Sequence, residues 1–263
     1  MKIFTDQLGR TVKLPNYPPE RIVSLVPSQT ELLADLGLAD RVVGITKFCV
    51  HPVAWRQEKT VVGGTKKLHL ERIRALQPDL IIANQEENDR EQVLELAAEF
   101  PVWVSQVVDL STANDMITAI GAMTGTNATA GTLVHQIEKS FASLAEFTPV
   151  RALYLIWRKP YMASGGDTFI SSMLDEAGFK NVTGDQLRYP SLTAEQIQAL
   201  SPEVILLSSE PFPFRERHIA ELSALCPNAA VRLVDDEMFS WYGSRLLRSA
   251  AYFRNLRTEL KMT

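Results

Sequence analysis

The sequence predicts an α/β protein of two related lobes, each built on a mainly parallel sheet, joined by one long α-helix. Three observations carry that expectation. Short β-branched runs alternate with helical patterns along most of the chain, the mark of βαβ units. A segment of the first half returns in the second, and an amphipathic helical stretch separates the two strand series.

Residues 5–14 read as a small hairpin with Gly9-Arg10 at its turn, closed off by Pro15, Pro18 and Pro19. Buried strands are expected over 22–26, 42–45, 80–83 and 102–104, with helices near 30–36, 70–76 and 89–100. The second series has strands over 152–156, 204–207 and 231–234, helices near 169–177, 194–200 and 219–225, and a last helix over 244–260. Between the series, Leu133, Ile137, Phe141 and Leu144 recur at helical spacing within 127–147, a length of roughly 30 Å at about 1.5 Å per residue. The expected organisation is an N-terminal lobe in 1–110, a helical connector in 111–149 and a C-terminal lobe in 150–263.

The repeat aligns Leu68, Glu71, Ile73, Ala75, Leu76, Pro78 and Ile81 with Leu192, Glu195, Ile197, Ala199, Leu200, Pro202 and Ile205 in one register. Leu33 and Gly37 are echoed by Leu174 and Gly178. A chain of 263 residues with 46% hydrophobic and 22% charged content can bury the cores of two such lobes. Its net charge of −4 and lack of long basic runs argue against a nucleic-acid partner. Cys49 and Cys226 form no CxxC pair and are expected as free thiols, and the four dispersed histidines supply no metal motif, His51 standing nearest to one. No GxSxG, GxGxxG or P-loop spacing points to an enzyme, and Gly63-Gly64-Thr65-Lys66-Lys67 lacks the spacing of the last. The N-terminus has no apolar stretch of secretory length, and no run reaches the length of a membrane span.

The string from Arg21 through Pro27-Ser28-Gln29-Thr30-Glu31, then Val43-Gly44-Ile45, Leu70-Glu71-Arg72-Ile73 and Pro78-Asp79-Leu80-Ile81, resembles the ferric-siderophore, haem and vitamin B12 binding proteins of ABC importers. Ala163-Ser164-Gly165, the second repeat copy and the C-terminal helix sit in that family's order. The resemblance implies two Rossmann-like lobes joined by a long helix, with a shallow ligand cleft between them and small closing motions. It also implies a monomer that carries a metal chelate, a ferric siderophore or cobalamin ahead of haem, to a permease dimer. Family members are normally exported to the periplasm, whereas this chain as it stands shows no signal; a cytoplasmic enzyme processing a corrinoid or siderophore, or a permease-independent chelate carrier, are the alternatives.

Ligands of open α/β sheets bind beyond the carboxyl ends of the strands, so the loops there supply the candidates. Flat walls for a planar ligand are expected from Phe48 and Trp157, and hydrogen bonds from Asn84. Arg158 and Arg245, beside aromatics, would supply charge to an anionic group. By the resemblance, Tyr189, Trp241 and Tyr242 line the site, and Thr65 and Asn84 stand where B12 binders tend to carry tryptophans, making the first wall more polar. Glu71 and Glu195, equivalent in the repeat, are implied as one permease-docking carboxylate per lobe. Any metal would arrive inside the chelate, with no protein-built metal site and no cofactor.

Overall fold

The computed structural model describes residues 1–144 and 147–260. Its contacts divide the chain into two compact units: Met1–Val107 with Ser111–Gln136 and Tyr242–Arg245, and Val108–Leu110 with Ile137–Trp241 and the residues from Leu246 on.

The first unit opens with an antiparallel hairpin, β1 (Lys2–Thr5) and β2 (Thr11–Leu14). Asp6 shapes its turn by accepting the backbone N–H of Leu8 and of Arg10, at 3.0 and 2.8 Å. There follow β3 (Ile22–Ser24), α1 (Pro27–Asp35), β4 (Val42–Ile45), α2 (Trp55–Glu58), β5 (Thr60–Val61), α3 (Leu70–Ala75), β6 (Leu80–Asn84), α4 (Arg90–Ala97) and β7 (Val102–Ser105). The five strands lie in the order β5-β4-β3-β6-β7 and every neighbouring pair is parallel. Every residue of β6 and β7 is buried, as helices on both faces of a parallel sheet require. Val23, Ile81 and Val104 of the sheet pack with Ile73 and Leu96 of the helices.

The helical region expected over 111–149 is two helices, α5 (Leu110–Thr124) and α6 (Asn127–Ala142). Gly125, with φ 74°, supplies the left-handed residue that stops α5. Helix α6 ends before the expected 147; positions 145 and 146 lie outside the described residues.

The second unit contains β8 (Val150–Trp157), β9 (Tyr161–Ala163), α7 (Phe169–Glu176), β10 (Phe179–Asn181), β11 (Ser191–Leu192), α8 (Ala194–Leu200), β12 (Val204–Ser208), α9 (Glu216–Leu225), β13 (Ala230–Val234), α10 (Glu237–Ser240) and α11 (Leu246–Glu259). Strands β8, β10, β12 and β13 pair in parallel, while β9 runs antiparallel to the end of β8 and β11 extends the edge. The short antiparallel edge strands were not legible in the sequence, because two or three residues carry no period. Leu153, Leu155, Ile205 and Leu207 pack with Leu222 of α9 and Val231.

The two repeat copies form the same local structure. Gln77 and Ser201, each ahead of a proline, both adopt φ 46° and turn the chain from helix into strand. The Asp79 carboxylate accepts Glu20 and Arg21 backbone N–H groups while Arg21 Nε donates to Leu76 O. Glu203 accepts Arg151 N–H in the same manner, and Arg151 Nη2 donates to Leu200 O. Gly37 and Gly178, at φ 75° and 72°, follow α1 and α7.

Candidate ligand-binding site

In each sheet one strand has successors on both sides. Strands β4 and β5 lie to one side of β3 and β6 and β7 to the other; β9 and β10 flank β8 opposite β12 and β13. Beyond the carboxyl ends at such a reversal the loops part, which is where open α/β sheets accept ligands.

In the first unit this place is polar. Asn84, at the end of β6, donates to Ser105 Oγ at 3.0 Å and accepts from the N–H of Glu86 and of Glu87. Asn84, expected to bond a ligand, thus spends its amide on shaping its own loop. Asn88 ties three loops together, accepting Asn84 N–H while donating to Leu25 O and Thr65 O. Lys66 reaches across to Glu86 O, so the loop after β5 and the loop after β6 form one ledge. Gln29 donates to Ser105 Oγ, and Tyr242 is buried with Ser28 and Ser105 at its hydroxyl. Burial pushes that hydroxyl well above the usual phenol range, and the nearby Glu87 adds to the rise.

Arg245 lies inside the first unit, its Nε 2.9 Å and Nη2 2.7 Å from the two oxygens of Glu31. Burial raises the Glu31 carboxyl above its ordinary range although Arg245 opposes the shift. Gly243 lets the segment approach α1 closely, since a Cβ there would stand 3.3 Å from Ser28 O and 3.4 Å from Leu32. Phe48 is 50% exposed, its ring packed over Gly64 with the Lys47 ammonium 4.9 Å away. Cys49 beneath it is buried between Thr30 and Thr46, and burial pushes its thiol up.

The second unit presents rings at the corresponding place. Trp157, 38% exposed, meets Phe212 edge-on at 5.7 Å; Phe212 packs on Phe214 at 4.8 Å, and both contact His218. Beside them Arg158 grips Glu221, with Nε 3.0 and 3.1 Å from its oxygens and Nη2 at 2.8 Å, and Tyr161 donates to the same carboxylate. The Arg158 contact holds the Glu221 carboxyl low, and burial with Glu221 beside it pushes Tyr161 up to about 12. Tyr189 stands half-buried next to Arg188, whose guanidinium is 5.7 Å from its ring and 3.7 Å from Asp167. Trp241 is buried at the end of α10.

Deeper, Asp236 accepts hydroxyls from Ser240 at 2.6 Å, Ser208 at 2.8 Å and Tyr154 at 3.1 Å. Burial nevertheless raises its carboxyl. Sequence reading missed Glu31, Glu221 and Asp236. Glu31 stands within the Pro27–Glu31 string and was legible as a partner for some cation, whereas Glu221 meets Arg158 only through the fold. The docking candidates lie elsewhere: Glu71 is 87% exposed and bonded to Arg74 at 2.6 Å, and Glu195 is exposed behind the Thr193 capping box. Among the described residues no three His, Cys, Asp or Glu side chains gather as a metal set.

Two units, each built on a mainly parallel sheet that reverses its order about one strand, are the architecture of the two-lobed α/β binding proteins. The sequence profile of the periplasmic binding protein family matches residues 22–223, and the chain belongs to that family. It is 27% identical over 198 residues to the vitamin B12-binding protein of Vibrio cholerae, covering 73% of this chain and 71% of that one. Over 200 residues it is 28% identical to the uncharacterized ABC transporter substrate-binding lipoprotein YvrC of Bacillus subtilis, covering 72% and 63%. The crystal structure of the periplasmic vitamin B12 binding protein BtuF of Vibrio cholerae superposes with a TM-score of 0.81 at 23% identity, over 94% of this chain and 99% of that one, which establishes the fold.

Proposed function

We propose that the chain is the substrate-binding component of an ABC importer, taking a metal chelate, a corrinoid or ferric siderophore ahead of haem, and delivering it to a permease of two like subunits. The observation that carries this reading is the chemistry at the strand ends of a periplasmic binding protein: amides and hydroxyls in one unit, a cluster of edge-packed rings in the other. In the first unit we assign Phe48 and Tyr242 to the chelate, and in the second Trp157, Tyr189 and Trp241; Arg158, Arg245 and Asn84 each hold loops of their own unit in place. Binding rather than turnover is the reading that membership of the periplasmic binding protein family supports. The chain acts as a monomer, and the metal comes with the ligand.

Native mass spectrometry of the chain challenged with cyanocobalamin, haemin and a ferric-siderophore panel is the test. One intact chelate per chain is expected, and Trp157→Ala should weaken that complex by about 1–3 kcal/mol if its ring is an anchor. A chelate returned chemically altered, or no adduct with any of them, refutes the reading.

A further inference from the structure

Arginines beyond the strand ends are the groups that would grip an anionic chelate, yet Arg158 and Arg245, the two expected to do so, are each held by a carboxylate of their own unit, and so is Arg188. Arg245 is spent on Glu31 and Arg188 lies 3.7 Å from Asp167. Arg158 is the case that matters, because it stands on the residue after Trp157, the exposed ring of the aromatic face. Its fork is already engaged with both oxygens of Glu221, and the Tyr161 hydroxyl completes the carboxylate. A ligand carboxylate would find only the remaining Nη–H donors of Arg158, on a charge already neutralised by Glu221 and with that carboxylate facing the newcomer.

We propose that Glu221 sets the charge class of the ligand: by neutralising Arg158 beside the Trp157–Phe212 rings, it suits that face to a metal chelate of zero or positive net charge and turns polyanionic chelates away. This rests on the reading that these loops bind a chelate. The acids at the neighbouring strand ends act in the same sense. Asp235, Asp236 and Glu237 follow β13, and Glu210 follows β12 close enough to them that their charges, after burial, raise its carboxyl. The remaining cations do not offset this. In the second unit Arg215 and Arg217 act on His218 beside Phe212 and Phe214. Lys159 is an exposed point charge, screened by water and salt.

The test is the ratio of affinities, by tryptophan quenching, for a trianionic ferric tricatecholate and for ferrioxamine B, a cationic ferric trihydroxamate, with cyanocobalamin alongside. The wild-type chain should favour the cationic or neutral chelates by tenfold or more. Glu221→Gln should move the ratio toward the tricatecholate by about tenfold, and Arg158→Gln should move it the opposite way, both shifts shrinking at high salt. Damage to the fold would weaken every chelate together and could not give shifts of opposite sign. A wild-type preference for the tricatecholate, or two variants that shift the ratio the same way or not at all, overturns the proposal while leaving chelate binding standing. Failure to bind any chelate overturns the functional reading beneath it.

Discussion

Glu31 carries a guanidinium on both its oxygens and still has its carboxyl raised, because burial outweighs the attraction. A pair of this kind adds little net stability, but losing one partner leaves the other charge buried alone. Glu31→Ala should therefore cost about 3–5 kcal/mol, read as a drop in urea midpoint, and a loss below about 1 kcal/mol would mean that water reaches the pair. Asp236 makes the complementary case. Its folded-state carboxyl is raised by burial, so the folded protein holds that proton more tightly than the unfolded chain does. The stability tied to it is full below the ordinary carboxylate range near pH 4 and is lost as pH rises through the folded value. Compared with Asp236→Asn at each pH, the wild-type protein should lose ground steadily as pH climbs; a difference that stays level with pH would contradict this.

Two glycines that end helices show how equivalent elements come to differ. Gly37 after α1 and Gly178 after α7 have the same left-handed φ, yet a Cβ on Gly37 meets nothing within 4 Å, and one on Gly178 stands 2.6 Å from Phe147 Cβ. Gly37→Ala should cost about 1–2 kcal/mol, the strain of the left-handed conformation alone. Gly178→Ala adds a clash in a packed place, where Arg257 bonds Gly178 O and lies over the Phe147 ring. Its thermal unfolding midpoint should fall clearly further than that of Gly37→Ala, and equal shifts would show that Phe147 moves aside freely.

For the whole molecule, the proposed delivery step places Glu71 and Glu195 against a permease. Both are exposed at the starts of equivalent helices, but Glu71 shares Arg74 with Glu95 and Glu99 whereas Glu195 stands in the first turn of α8 behind a capping box. The bland account is that each simply favours its helix start, worth about 0.3–1 kcal/mol. Charge reversal at both, Glu71→Lys with Glu195→Lys, should leave chelate affinity intact and abolish transport in a reconstituted importer. Transport at the wild-type rate would reduce the two residues to helix-start carboxylates.

The order of the longer strands and helices, the repeat, the Pro78 and Pro202 turns and the loops that follow those strands were legible in the residues, because hydrophobic period and turn chemistry are local; the short elements β5, β9, β10, β11, α2 and α10 and the division of the connector into α5 and α6 were not. The sequence also marked Phe48, Trp157, Arg158 and Arg245 as the residues to examine. Their surroundings were decided by tertiary structure: Arg158 meets Glu221 across 63 positions and Arg245 meets Glu31 across 214. Nothing local distinguishes an arginine waiting for a ligand from one already paired. Whether a charge is spent depends on which carboxylate the fold brings within about 3 Å, and that distance is set by packing, not by neighbours in the chain.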